Sequence, residues 1–204
     1  MKAAAGPPRL AIAKGAGLLR SQGFLLLLLA AGLARASHAA FYTFGTLHWR
    51  ALGLSTAWSG TLWAISIVAE VALFAYSAAV VRRIGPAQLI ALGAGAAVIR
   101  WFIMGLNPPL SLLLPLQILH ALTFGATHIG AIHSIGRAVP ETQAGTAQAL
   151  YSSVTGGIAT GGATLIAGPL YAAYAGRAYW VMALVAAEAL SAALALLKVR
   201  RDAF

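Results

Sequence analysis

The sequence predicts an all-α membrane protein of six transmembrane helices. Three observations carry this. Of the 204 residues 60% are apolar and only 9% charged, where a soluble domain carries about 25% charged residues. The apolar residues run in stretches of about 20, the length that crosses a bilayer core as a helix. The 14 Lys and Arg fall into an alternating, one-sided pattern between those stretches. Length alone leaves no room for a separate soluble catalytic domain beside six spans.

The elements follow in order. Residues 1–23 contain Pro7, Pro8, several Gly and the cations Lys2, Arg9, Lys14 and Arg20, a composition suited to a basic segment on a membrane surface. Helices are expected near 24–46, 55–80, 87–106, 110–135, 143–172 and 178–199. The expected breaks are His48-Trp49-Arg50, Arg82 to Pro86, Asn107-Pro108-Pro109, Arg137 to Thr142 and Gly176-Arg177. A cleaved secretory signal fits poorly, because Arg35 and His38 occupy the cleavage region and the apolar run continues through Phe41, Tyr42 and Phe44. The span over 24–46 is therefore read as retained, and 24–204 as one bundle.

Lys and Arg accumulate in short cytoplasmic loops. Sorted over six spans, ten of the 14 cations fall on one side: the four N-terminal ones, Arg82, Arg83, Arg137, Lys198, Arg200 and Arg201. The other side receives Arg50 and Arg177, while Arg35 and Arg100 lie within spans. Both termini are expected in the cytoplasm of a bacterial inner membrane. The net charge of +10 is accounted for by this orientation, so nucleic acid is not the expected partner.

Charged side chains at mid-membrane cost on the order of 3 kcal/mol each and face cavities or one another. Arg35, His38 and Tyr42 lie at i, i+3 and i+7 on span 1; Ser59, Trp63, Ser66 and Glu70 share a face of span 2; Gln117, His120, Phe124 and His128 recur along span 4; Arg100 is in span 3. Three helices with one polar face each suggest a cavity between them. The bland alternative is that Glu70 neutralises Arg100 or Arg35 as a packing pair and that the histidines hydrogen-bond neighbouring helices. Glu188 shares its face with little but Ser191 and is left out of the site. The absence of Cys excludes thiolate chemistry. The spacings among His120, His128 and His133 lack the i, i+4 pair of a metal site, and no G-x-S-x-G elbow occurs. Neither metal, cofactor nor enzymatic activity is expected. In span 5, Gly157 and Gly161 form a G-x-x-x-G that predicts close approach of a neighbouring helix.

Six spans with both ends inside, a basic leading segment and the Arg83-Ile84-Gly85 turn resemble the C-terminal half of a major facilitator superfamily transporter. Four strings resemble the phenylpropionate permease group, related to the lactose permease and nucleoside:proton symporters. These are Gly60 to Ala64 followed by Glu70, Arg100-Trp101, His120 to Gly125 with His128, and Gly145 to Ser152. In the related sugar symporters a carboxylate, an arginine, and a histidine followed one turn later by a carboxylate form the proton and substrate cluster. The resemblance carries the first three onto Glu70, Arg100 and His120, but Thr123 stands where the fourth is expected. It implies a secondary transporter half-unit, beginning where a second half begins, that works with an N-terminal six-helix half or as a homodimer. The implied cargo is a small organic acid, with an aromatic acid the first candidate, coupled to protons. Arg35 or Arg100 is expected to bind its carboxylate, with His38, Tyr42, Trp63 and Phe124 lining the substrate site, while Glu70, His120 and His128 handle the proton. The alternative is a truncated, non-transporting remnant or assembly module.

Overall fold

A computed structural model describes residues 15–199, and among them the chain is helical with no strand. Span 1 comprises α1 (Gln22–Ala36) and α2 (Ala39–Ala51), span 2 comprises α3 (Thr56–Ala75) and α4 (Ser77–Ile84), and span 3 is α5 (Pro86–Met104). Span 4 runs through α6 (Leu110–Ile118), a π-helical segment (Ala121–Ala126) and α7 (Thr127–Ala138). Span 5 runs through α8 (Glu141–Ser152), a second π-helical segment (Ser153–Ala159) and α9 (Thr160–Tyr174), and span 6 is α10 (Ala178–Lys198).

Five continuous stretches are long and apolar enough to cross a membrane, the last being Glu141–Lys198 with 58 residues. At 1.5 Å per residue that stretch measures about 87 Å as a straight helix, roughly three times a bilayer core. It reverses at a 3₁₀ turn, Ala175–Arg177, where Ala175 has φ +48°, and so supplies two crossings. Six crossings result, as the sequence predicts.

Local chemistry sets the ends. Ser21 and Ser55 cap α1 and α3, each hydroxyl accepting a backbone N–H three residues on. Gly85 at φ +94° ends α4, and Pro86 opens α5 at N1, where a missing N–H costs nothing. Three expected breaks begin later than the sequence suggests. His48-Trp49-Arg50 continues α2, because Trp49 is fully buried against Phe41 and Trp63 and His48 bonds Tyr171. Arg82-Arg83 and Arg137 occupy the last turns of α4 and α7, where cations complement the helix dipole. Of the basic N-terminal segment, Lys2, Arg9 and Lys14 lie outside the described residues, as do Arg200 and Arg201; Leu18 is buried in the core beside Phe24 and Leu27.

Spans 1, 3 and 6 form the centre, meeting through Ala34, Ala94 and Ala189. This small-residue waist separates two packed clusters. One contains Phe24, Leu27, Ile135, Tyr151 and Leu196; the other contains Phe41, Trp49, Trp101, Met104, Leu113 and Tyr179. Gly85, Arg137 and Val199 line a single cavity at one end of the bundle. At the opposite end Gly176 abuts His48 and Asn107. The alternating cation groups therefore occupy opposite ends of the bundle.

The close approaches are not at the expected G-x-x-x-G. No atom comes within 4 Å of a Cβ built on Gly157 or Gly161, so their small face is turned away from the rest of the described chain. Backbones instead touch where spans 3 and 4 cross. A Cβ on Gly93 would lie 2.6 Å from the Leu122 carbonyl oxygen, and one on Gly130 2.5 Å from the Pro86 carbonyl oxygen. Spans 3 and 4 are pinned together by two isolated glycines that no motif marks.

Candidate substrate and proton site

The site is built where spans 1, 2 and 4 face one another. Span 1 breaks at Ser37-His38. The Ser37 hydroxyl donates to the Ala34 carbonyl at 2.7 Å and His38 Nδ1 lies 2.9 Å from the same oxygen. Side chains that compete for a helical carbonyl bend the helix. The bend directs His38 Nε2 to Thr123 Oγ1 on span 4, at 3.0 Å. Trp101 Nε1 on span 3 donates to Ser37 Oγ at 3.0 Å.

Span 4 loosens at the same depth. Pro115 removes one backbone donor within α6, and the chain then widens into the Ala121–Ala126 π segment. Such segments occur frequently at functional sites. Here it carries Thr123 and Phe124 and directly follows His120.

Arg100 is the organiser. It is fully buried, with its guanidinium 4.6 Å from the ring centroids of both Phe41 and Trp101. It donates to Gln117 Oε1 at 2.9 Å, Thr123 Oγ1 at 3.1 Å and His120 Nδ1 at 3.1 Å. Each hydrogen bond to a buried charge is worth about 1.5–3 kcal/mol, and a desolvated cation–π contact about 2 kcal/mol. Together these offset the several kcal/mol that burying one ion costs. Ser66 on span 2 closes the network through Gln117 Oε1 at 3.2 Å.

A guanidinium only donates, so His120 Nδ1 must offer its lone pair and the imidazole carries its hydrogen on Nε2. That atom is 3.3 Å from Glu70 Oε2. In place of the alternative weighed from the sequence, a direct packing pair of Glu70 with Arg100 or Arg35, the contacts run as a relay, Arg100 to His120 to Glu70. The physical reason is reach. Gln117, Thr123 and His120 surround the Arg100 fork, while Glu70 projects from span 2 toward the open side, with its side chain 18% exposed.

Rings complete the wall. His38 stacks on Tyr42 at 5.5 Å, Tyr42 on Trp63 at 6.2 Å, and His120 on Phe124 at 5.5 Å. Arg35 lies over Phe124 at 5.0 Å and is only partly buried. His128 is set apart. It stacks on the far side of Phe124 at 6.1 Å and pairs with Tyr151 of span 5 at 3.1 Å. Arg35, Phe124, Thr127, His128 and Tyr151 line one small niche.

Of the two arginines expected to meet a carboxylate, Arg100 is sealed and its terminal nitrogens are engaged, whereas Arg35 faces the opening. Phe41 and Tyr151 are absent from the sequence-derived site. Trp101, adjacent to Arg100, is the sole sequence signal for the cation–π cage, since Phe41 falls between the turns of the polar stripe that drew attention to span 1.

The comparisons agree with this architecture. A family model described as MFS_1 like family matches residues 8–182. A "Probable 3-phenylpropionic acid transporter" of Escherichia coli (strain K12) is 38% identical over 158 residues, 78% of this chain and 41% of that protein. The chain thus spans well under half the length of this curated relative. No solved structure matches. The family model covers most of the chain, and with six apolar crossings around a polar inter-helix site the chain belongs to the MFS_1 like family.

Proposed function

We propose that this chain is the C-terminal six-helix half of a secondary transporter that moves a small aromatic carboxylic acid together with protons. In this reading residues 1–23 are the linker from an N-terminal half and 24–204 the bundle, with both termini cytoplasmic in a bacterial inner membrane. The observation that carries it is the placement of a partly open arginine, Arg35, over Phe124, beside the rings of His38, Tyr42 and Trp63. A carboxylate meets the Arg35 fork and an aromatic ring stacks on the wall. Beside it, the Glu70 carboxylate takes up a proton from the open side, which neutralises its contact with His120 and loosens span 2 from span 4. Release of that proton restores the pair. Arg100 orients His120 and touches no cargo.

The reading is supported by the relative's printed substrate, 3-phenylpropionic acid. Its test is uptake of labelled 3-phenylpropionate into proteoliposomes under an imposed proton gradient, with this chain alone and with a six-helix N-terminal half. Gradient-driven accumulation in either preparation is the expected result. Its absence from both leaves the chain a non-transporting assembly module.

A further inference from the structure

At the end of the bundle opposite His48 and Gly176, a cavity of about 290 Å³ opens between the start of span 3, the end of span 4 and the end of span 6. Its polar lining includes Gln88, Ser134 and Arg137. Three features distinguish it from a packing defect. Ser134 is buried, only 8% exposed, makes no hydrogen bond to another described residue, and is one of the residues that line this space. Ala87 and Gln88 form the wall at the first turn of the 19-residue α5, where backbone N–H groups have no intrahelical acceptor. Cations collect around the rim: Arg137 in the lining, Lys198 between the lining residues Leu197 and Val199, and Arg82 and Arg83 just before Gly85. The described acids are Glu70, Glu141 and Glu188, and none of them lines the cavity.

We propose that this cavity is an anion site that holds a phosphate group, distinct from the Arg35–Glu70 site. A helix N-terminus favours an anion through its free N–H groups and dipole, the Ser134 hydroxyl donates to a phosphate oxygen, and Arg137 supplies charge at the mouth. The volume is about ten times a water molecule's share of the liquid, room for a phosphate with a small organic appendage. The site lies where three spans leave the membrane, so an anionic phospholipid reaches it from the side and a free phosphate from the aqueous phase. A phosphate held there ties spans 3, 4 and 6 together.

The test uses the full chain in detergent micelles and follows its thermal unfolding midpoint. Phosphatidylglycerol, an equal amount of phosphatidylcholine, and inorganic phosphate without lipid are added separately to the wild type, Ser134→Ala, Arg137→Gln and Arg50→Gln. Stabilisation by phosphatidylglycerol beyond phosphatidylcholine assigns the site to a lipid headgroup. Stabilisation by inorganic phosphate, with no preference between the lipids, assigns it to a free anion. In either case Arg137→Gln weakens the apparent affinity roughly fivefold, the weight of one cation near a charged surface. Ser134→Ala weakens it as well, while Arg50→Gln, at the far end, does not. Absence of any stabilisation overturns the proposal. So does a response that Ser134→Ala leaves unaltered, because a diffuse basic surface has no need of a buried hydroxyl.

Discussion

Glu70 and Arg100 sit in opposite surroundings although both lie within spans, Glu70 partly open and Arg100 fully buried. Arg100 is enclosed by neutral acceptors and two rings, so its charge is structural, and its planar fork is what reaches Gln117, Thr123 and His120 at once. A lysine carries the same charge on a point donor and serves that geometry poorly. Arg100→Lys is expected to lower the stability of the folded chain by about 2–4 kcal/mol, of the order seen when a buried charge network loses a partner, as read from unfolding in micelles. Stability equal to the wild type would show that the three acceptors do not act together. For Glu70→Gln the expectation is different: similar shape, similar stability, and loss of gradient-driven accumulation while exchange of substrate across the bilayer continues. Normal uphill accumulation by that variant in an assembled transporter makes Glu70 a packing residue and removes the coupling site.

At the level of helices, the two irregular stretches, the Ser37-His38 bend and the Ala121–Ala126 π segment, place the site's side chains. A π segment holds one more residue than the α-helix it interrupts. Deleting Ala121 should let the turn revert to α with His120 and Thr127 kept close to their present register, while Thr123 and Phe124, inside the widened turn, change direction. The expected result is a folded, helical chain by circular dichroism that has lost transport; retained transport would show that the widened turn does not aim Thr123 and Phe124. Glycines supply a second test. Gly93→Ala drives a methyl into the Leu122 carbonyl and should cost about 1–3 kcal/mol, whereas Gly157→Ala meets open space and should stay within about 0.5 kcal/mol. Equal responses of the two would refute the assignment of the span 3–span 4 crossing as the tight one.

For the molecule as a whole, the bundle presents an unusual surface to its surroundings. Tyr42 is 40% exposed, and Arg35, Trp63, Glu70 and His128 are all partly open on the side formed by spans 1, 2 and 4. Lipid cannot satisfy such groups. The chain is therefore expected to associate through this face, with a second copy or with a six-helix half, and single-molecule counting in bilayers should find dimers or hetero-assemblies; stable monomers would contradict it. Orientation is tested separately. In a chain without cysteine, single Cys at positions 83 and 177 should label from opposite sides, position 83 from the cytoplasm. Labelling of position 83 from outside would invert the proposed topology.

What the sequence determined by itself is what depends on composition and short spacing. Apolar stretches, their lengths and the cations between them specify six crossings with alternating ends, because the bilayer imposes one length and backbone hydrogen bonding imposes one secondary structure. Where the polar side chains of the spans come together was legible for a similar reason. A polar side chain at i, i+3 and i+7 in an apolar helix has few places to go, and all nine of the residues singled out lie on the walls where spans 1 to 4 meet or beside them. Who pairs with whom was not legible. Glu70 binds His120 instead of an arginine, Arg100 is caged by Phe41 and Trp101, and the close helix crossing uses Gly93 and Gly130 in place of Gly157 and Gly161. Those outcomes depend on the rotation of each span about its axis and on local departures from α geometry at Ser37, Pro115 and the π segments. A change of one residue in helical register moves a side chain by about 100°, so only the packed bundle could decide them.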